Sequence, residues 1–151
     1  MGTKYSQPGN KKASIAFTLN RQHRTWPLTY GWQGDTLLLT CKEATYKIAR
    51  SIVENGINFC WDIPADGAVY EAKGTFAFIS RKAMRELREK GFTFYDGITW
   101  RVVDQGNTIH VRADIDQTEM WIKQDDDLPL VLEMRNNPLG IGWLMDEDTS
   151  N

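Results

Sequence analysis

Two acid-rich runs carry the side chains whose type and spacing most resemble a metal site. Asp114, Asp116 and Glu119 fall at near-alternate positions in RADIDQTE, and a DDD run follows at 125–127. Carboxylates can share a divalent cation, but calcium takes about six or more oxygen ligands, and neither run has the spacing of a calcium-binding loop. Aspartates at such positions also form the side-chain-to-backbone turns that join strands. We therefore predict solvated turns here and assign no metal or cofactor.

The two imidazoles and two thiols match no catalytic motif. The chain has no Gly-x-Ser-x-Gly nucleophile motif that His23 or His110 could serve. Cys41 and Cys60 fit no zinc, redox or protease spacing. We therefore predict a non-enzymatic protein with satisfied surface histidines and no catalytic residue. Two states of the cysteines remain open: buried free thiols, or one disulfide formed in an oxidising compartment.

Six tryptophans in 151 residues are the most unusual feature of the composition. Large aromatic rings either fill a β-rich core or line a surface that binds an apolar ligand. We take Trp61, Trp100 and Trp121 as candidate ligand-binding residues. Alternation along the strands places Trp121, Val103, Tyr95 and Val131 on the solvent face of a sheet that is buried on one side only. A second layer, such as a packed helix, would bury them instead.

Charge and hydropathy exclude several classes of partner. The formal net charge is −2 and the 18 basic residues are scattered along the chain. We therefore expect no nucleic-acid partner and no electrostatic attraction to an anionic membrane. No run of 18 apolar residues is present, so no transmembrane segment is predicted.

The first residues leave the localisation open. Residues 1–13 are polar and are predicted to be disordered, followed by a single β-rich domain over 14–146. Gly2 and Ser6 fit a short myristoylation pattern, but a disordered terminus, or one that replaces a removed signal sequence, is the favoured interpretation. The protein is periplasmic or secreted if a signal sequence was removed, and cytoplasmic otherwise.

Alternation of polar and apolar residues predicts a mostly β fold of the α+β type. We expect a single curved antiparallel sheet, half-barrel or barrel of about eight to ten short strands, including one at 57–64. Asp96-Gly97 predicts a tight hairpin turn. One helix is predicted over 81–90, with Ser80 as N-cap and Gly91 after its end. Residues 43–54 fit a second helix or a strand, and periodicity favours the helix only slightly.

The stretch DLPLVLEMRNNPLG at 127–140 looks like a functional motif but has a structural explanation. Its prolines, asparagines and glycine delimit a short strand at positions where the backbone needs them. Alternation predicts that Leu130, Leu132 and Met134 face the core and that Val131 faces outwards.

Residues 76–143 carry a family resemblance. The runs FAFISRKAMRELREKGFTFYDGITWRVV and TEMWIKQDDDLPLVLEMRNNPLGIGW resemble uncharacterised secreted or envelope proteins of Bacteroidota. The order of a helix followed by a meander also resembles LolA-like half-barrels, a group that includes lipoprotein carriers. This resemblance implies a curved antiparallel sheet wrapped around helices. It implies no catalytic residue.

Three functions follow as hypotheses, in order of preference. The first is a non-enzymatic cell-envelope protein that binds an apolar or amphipathic ligand, such as a lipid, in a concavity of the sheet. The second is a protein-interaction module that uses an exposed sheet face or edge. The third is an unidentified hydrolase.

Overall fold

One open, curved sheet of eleven strands dominates the computed structural model, which describes residues 11–19, 21–41, 43–61 and 67–147. Two short helices accompany the sheet in these ranges, so the predicted mostly β fold is confirmed. The elements are β1 (Lys11–Leu19), β2 (Gln22–Gln33), β3 (Thr36–Cys41), β4 (Ala44–Ala49), α1 (Arg50–Asn55), β5 (Val69–Glu71), α2 (Arg81–Lys90), β6 (Phe92–Tyr95), β7 (Ile98–Gln105), β8 (Thr108–Ala113), β9 (Glu119–Lys123), β10 (Val131–Arg135) and β11 (Ile141–Glu147).

Two meanders meet at the centre of the sheet. The strand order is β5-β4-β3-β2-β1-β11-β10-β9-β8-β7-β6, and every pair is antiparallel except β4–β5. The first strand therefore pairs with the last one described, with Phe17 opposite Trp143. β1 begins at Lys11, three residues earlier than the alternation predicts, and residues 1–10 lie outside the described ranges.

Local signals in the sequence predict the second helix and the hairpin that follows it. The Ser80 side chain accepts a hydrogen bond from the Ala83 backbone N–H over 3.2 Å, which caps α2. Gly91 ends the helix in the left-handed conformation, with φ of 81°. Asp96 and Gly97 both have positive φ, as a type I′ hairpin turn between β6 and β7 requires.

Each interpretation of residues 43–54 is correct for about half of the stretch. Residues 44–49 form β4, whose buried side chains alternate and pair with β3, including Ile48 opposite Leu37. The helix begins only at Arg50 and buries Val53. A neighbouring strand thus decides the conformation of the first half, where periodicity slightly favours a helix.

The strand predicted over 57–64 is wrong for the part that the structure describes. Only Phe59 bridges another residue there, in an isolated parallel contact with Thr75. A Cβ atom on Gly74 would lie 2.6 Å from the Asn58 carbonyl oxygen, so glycine permits a close approach of two irregular backbones. Residues 62–64 lie outside the described ranges.

The inner face of the sheet, defined as the face on which α2 and residues 72–80 pack, carries the core. Phe78, Ile79, Met84 and Leu87 are completely or almost completely buried against it. The Val131 backbone N–H donates to the Ala77 carbonyl over 2.8 Å, and this hydrogen bond joins residues 72–80 to β10. The inner face is therefore covered by the chain's own side chains along most of its length.

Alternation predicts the wrong face for two residues. Tyr95 is buried because α2 and residues 72–80 cover the inner face, on which it lies. Val131 is also buried, because the pairing of β10 with β9 shifts register between Val131 and Glu133. Such a bulge reverses the inward and outward positions along a strand. Leu130 and Met134 are buried as predicted.

Candidate functional site

A continuous series of aromatic ring contacts runs along one end of the inner face. Neighbouring ring centroids lie between 4.9 and 6.4 Å apart, within the range of favourable aromatic pairs. We call this set the aromatic cluster. In order of contact its members in the described ranges are Tyr70, Tyr46, Phe76, Phe17, Trp26, Trp143, Trp61, Phe59 and Tyr95, with Trp26 branching from Phe17.

Strand register assembles the centre of the cluster. Phe17 on β1 is paired with Trp143 on β11, and Ile15, two residues earlier, is paired with Trp26 on β2. Paired residues of antiparallel strands share a face and lie within side-chain contact. The ring of Phe17 therefore contacts Trp26 and Trp143, in each case at 5.6 Å between centroids.

One border of the aromatic cluster reaches the surface. Phe17, Trp26 and Tyr70 are half-buried, and Trp61 is 42% exposed. The remaining five rings are buried. We call these four rings, Phe17, Trp26, Trp61 and Tyr70, the aromatic border. It offers flat apolar surface backed by a packed layer of rings.

Asp96 fixes the orientation of Trp61. The indole Nε1–H donates to Asp96 Oδ2 over 2.9 Å, and the Phe59 backbone N–H donates to Oδ1 over 3.1 Å. The Asp96 backbone N–H in turn donates to the Ile57 carbonyl over 2.7 Å. One turn residue thus anchors the 57–61 segment, and the indole ring of Trp61 packs between Phe59 and Trp143.

Tyr95 holds the other end of the cluster to the interior. Its hydroxyl lies 2.7 Å from Thr75 Oγ1 and accepts a hydrogen bond from the Ser80 backbone N–H over 3.2 Å. Burial raises the pKa of Tyr95 to about 12, because the phenolate would lose its hydration. The hydroxyl therefore stays protonated at neutral pH and acts as a structural link.

The three tryptophans predicted from sequence do not come together. Trp61 belongs to the aromatic border, whereas Trp100 is only 2% exposed and donates its Nε1–H to the Tyr95 carbonyl over 3.1 Å. Trp121 lies on the outer face of β9, away from the cluster. Sequence analysis missed Phe17, Trp26 and Tyr70. Alternation places Phe17 and Trp26 on strand faces, but only the pairing of distant strands brings them together.

Trp121 belongs to a separate group of side chains on the outer face. Its ring stacks on His110 at 4.3 Å between centroids, and the Arg135 guanidinium lies 4.8 Å from the ring centroid. His110 Nε2 donates to Glu119 Oε1 over 2.7 Å, a bond that is the main cause of the lowered pKa of Glu119. Arg112 also contacts this carboxylate. His110 is thus a satisfied surface histidine, as predicted.

Both acid-rich runs form turns. Asp116 Oδ1 accepts a hydrogen bond from the Thr118 backbone N–H, and Asp125 Oδ1 accepts one from the Asp127 backbone N–H, each over 2.8 Å. Among the described residues, no group of three or more His, Cys, Asp or Glu side chains is arranged to hold a metal ion.

Cys41 and Cys60 are buried thiols that are not joined by a disulfide, which selects the first of the two states left open. Burial raises the pKa of Cys41 to about 11, so its thiol is protonated and unreactive at neutral pH.

A groove of about 470 Å³ lies on the outer face over β11. Gly142 on β11 has no side chain, which leaves a trough between β1 and β10. A Cβ atom at this position would lie 2.9 Å from the Met134 carbonyl oxygen. Ala16 and Leu144 add apolar surface to the groove. Its charged side chains, Glu133 and Arg135, form an ion pair with each other.

No protein-family model, curated protein or solved structure matches this chain. In the parts of the chain that are described, no helix is both long and apolar enough to cross a membrane. The contacts and exposure of the aromatic border are therefore the main basis for a functional proposal.

Proposed function

We propose that this protein is a non-enzymatic binding protein that holds an apolar or amphipathic ligand, such as a lipid, against the aromatic border. The observation that supports the proposal is the partial exposure of a surface that continues directly into packed rings. Aromatic rings contribute a large apolar contact area with few rotatable bonds, so binding costs little side-chain entropy.

The ligand lies at the end of the sheet and not deep in its concavity. Phe78, Ile79, Met84 and Leu87 occupy the interior and leave the inner face covered. Close-packed interiors admit a guest only by displacing side chains, which is costly. The aromatic border avoids this cost because its rings already reach the surface.

The resemblance of residues 76–143 to envelope proteins supports a cell-envelope location as part of the same proposal. An open, curved sheet with helices on its inner side is also the architecture that the LolA-like resemblance implies.

Tryptophan fluorescence tests this proposal. We expect titration with decanol, which has an apolar chain and no charge, to change the emission of the wild-type protein. Trp61→Ala should weaken this binding by about tenfold, since a buried aromatic contact of this size contributes on the order of 1.5 kcal/mol.

Trp121→Ala is the matched control, because Trp121 lies on the outer face and its loss should leave the affinity for decanol unchanged. No spectral response to decanol, fatty acids or phospholipids would contradict the proposal.

A second candidate, a protein-interaction module, is favoured by the edge strand β6. Phe92 and Phe94 are 42% and 61% exposed on its outer face, although β6 is the last strand of the sheet. Edge strands offer unpaired backbone groups to an extended peptide. Phe94→Lys should abolish capture of such a partner while Val103→Lys, at another exposed outer position, should not. Equal capture by both variants would count against this candidate.

A further inference from the structure

We infer that the ligand of the aromatic border is an anionic amphiphile whose head group binds Arg24. This inference rests on the proposed function and names its ligand class. The ligand would lay its apolar chain on the partly exposed rings and present a carboxylate, phosphate or sulfate group to the guanidinium.

Strand register places Arg24 beside the aromatic border. Arg24 on β2 is paired with Phe17 on β1, so both residues lie on the inner face. Trp26 lies two residues further along β2 on the same face, roughly 7 Å away along the strand. Arg24 is exposed and sits between these rings and the turn at Arg21. A cation thus adjoins an apolar surface, which is the arrangement that an amphiphile requires.

The positive charge of Arg24 is not paired with a carboxylate in the part of the chain that the structure describes. Six of the chain's nine arginines, all of which lie in the described ranges, form ion pairs with carboxylates. Arg24 has no ion pair in those ranges, and neither has Arg21. Two unpaired guanidinium groups therefore lie at one end of a protein whose net charge is −2.

Among the described residues, no carboxylate forms an ion pair with Arg24. Asp96 contacts Trp61, but its two carboxylate oxygens accept hydrogen bonds from the indole and from the Phe59 backbone N–H. The Asp96 side chain is thus committed to the 57–61 segment. Within the described ranges, the guanidinium groups of Arg21 and Arg24 form no ion pair.

Chemistry favours an oxyanion as the partner of Arg24. The planar guanidinium presents parallel N–H donors that match two oxygens of a carboxylate or phosphate. Because Arg24 is exposed, the contribution is modest and sensitive to salt. Apolar contact with the rings supplies most of the affinity, and Arg24 selects the sign of the head group.

Three probes with the same ten-carbon chain test the inference: decanoate, decanol and decyltrimethylammonium, each below its micelle-forming concentration. We expect wild-type affinity to fall in that order. Arg24→Gln should weaken decanoate binding about threefold and leave decanol unchanged, and Arg24→Lys should restore part of the loss. High salt should reduce the preference of the wild type for decanoate.

Arg85→Gln is the matched control, because Arg85 is an exposed arginine on α2 without an ion pair in the described ranges. Equal binding of the three probes, unchanged in Arg24→Gln, would overturn the ligand class and leave the binding function standing. Failure of all three probes to bind would overturn the proposed function and this inference with it.

Discussion

Trp61 and Asp96 form a hydrogen bond of 2.9 Å across 35 residues of sequence. The bond joins an irregular segment to the turn of the β6–β7 hairpin, and the hairpin is itself defined by local sequence. The most exposed ring of the aromatic cluster is therefore positioned by a turn whose conformation is encoded locally by Asp96 and Gly97. Its orientation is set before any ligand arrives.

Asp96→Ala should release Trp61 and weaken the fold. The change removes the acceptor of two hydrogen bonds and also replaces a residue with φ of 57°, a conformation that alanine adopts reluctantly. We expect a loss of about 2 kcal/mol in urea unfolding and a red shift of tryptophan emission. Asp104→Asn, at an exposed position on β7, should change neither quantity. Unchanged emission in Asp96→Ala would show that other contacts hold the indole.

Tyr95 and Thr75 should be energetically coupled. Tyr95→Phe deletes the hydroxyl that contacts Thr75 and the Ser80 backbone N–H, and it leaves that buried donor without its partner. We expect a cost of about 1–3 kcal/mol. In a double-mutant cycle with Thr75→Val, the two losses should be less than additive. Strict additivity would contradict the hydrogen bond.

Alkaline pH should destabilise the wild type more than the Tyr95→Phe variant. The pKa of Tyr95 is raised to about 12 from an ordinary value of 10, so the folded state holds the proton more tightly than the unfolded state. The stabilising contribution is complete below pH 10 and is lost as the pH rises from about 10 to about 12. Tyr30, raised in the same direction, is present in both proteins and cancels in the comparison. Urea unfolding at pH 8, 10 and 11 would measure the difference, and parallel curves would refute it.

Gly74→Ala should be among the most damaging small substitutions. The added methyl group would lie 2.6 Å from the Asn58 carbonyl oxygen and 2.8 Å from the Phe59 carbonyl carbon, both backbone atoms. We expect a loss of at least about 2 kcal/mol, because the Phe59–Thr75 bridge must open. Gly106→Ala is the control, since nothing lies within 4 Å of its added carbon. Equal stability of the two variants would mean that the backbones can separate freely.

Both thiols should resist modification in the folded protein. Cys41 and Cys60 are buried, and the pKa of Cys41 is raised to about 11. We expect a thiol reagent at pH 8 to react only as fast as the protein unfolds, and to count two thiols in denaturant. Immediate reaction with the native protein would contradict the burial of at least one of them.

Sequence predicts the parts of this fold that depend on neighbouring residues. Ser80 and Gly91 define α2, and Asp96-Gly97 defines a turn, because caps and positive φ are local chemistry. The contact of Phe17 with Trp143 depends on pairing β1 with β11, which no local pattern encodes. The candidate site was therefore missed in large part, and Trp61 was found only because tryptophans are conspicuous. The burial of Val131 depends on a bulge that alternation cannot anticipate.

The central seam between β1 and β11 has a consequence for synthesis of the protein. The residues of β1 leave the ribosome long before residues 141–147 are synthesised. The backbone amide and carbonyl groups that β1 directs towards β11 therefore lack their hydrogen-bond partners for most of translation. A nascent chain in this state exposes a template for intermolecular association. Premature termination before residue 141 should thus favour aggregation, because β1 then never gains the partner strand β11.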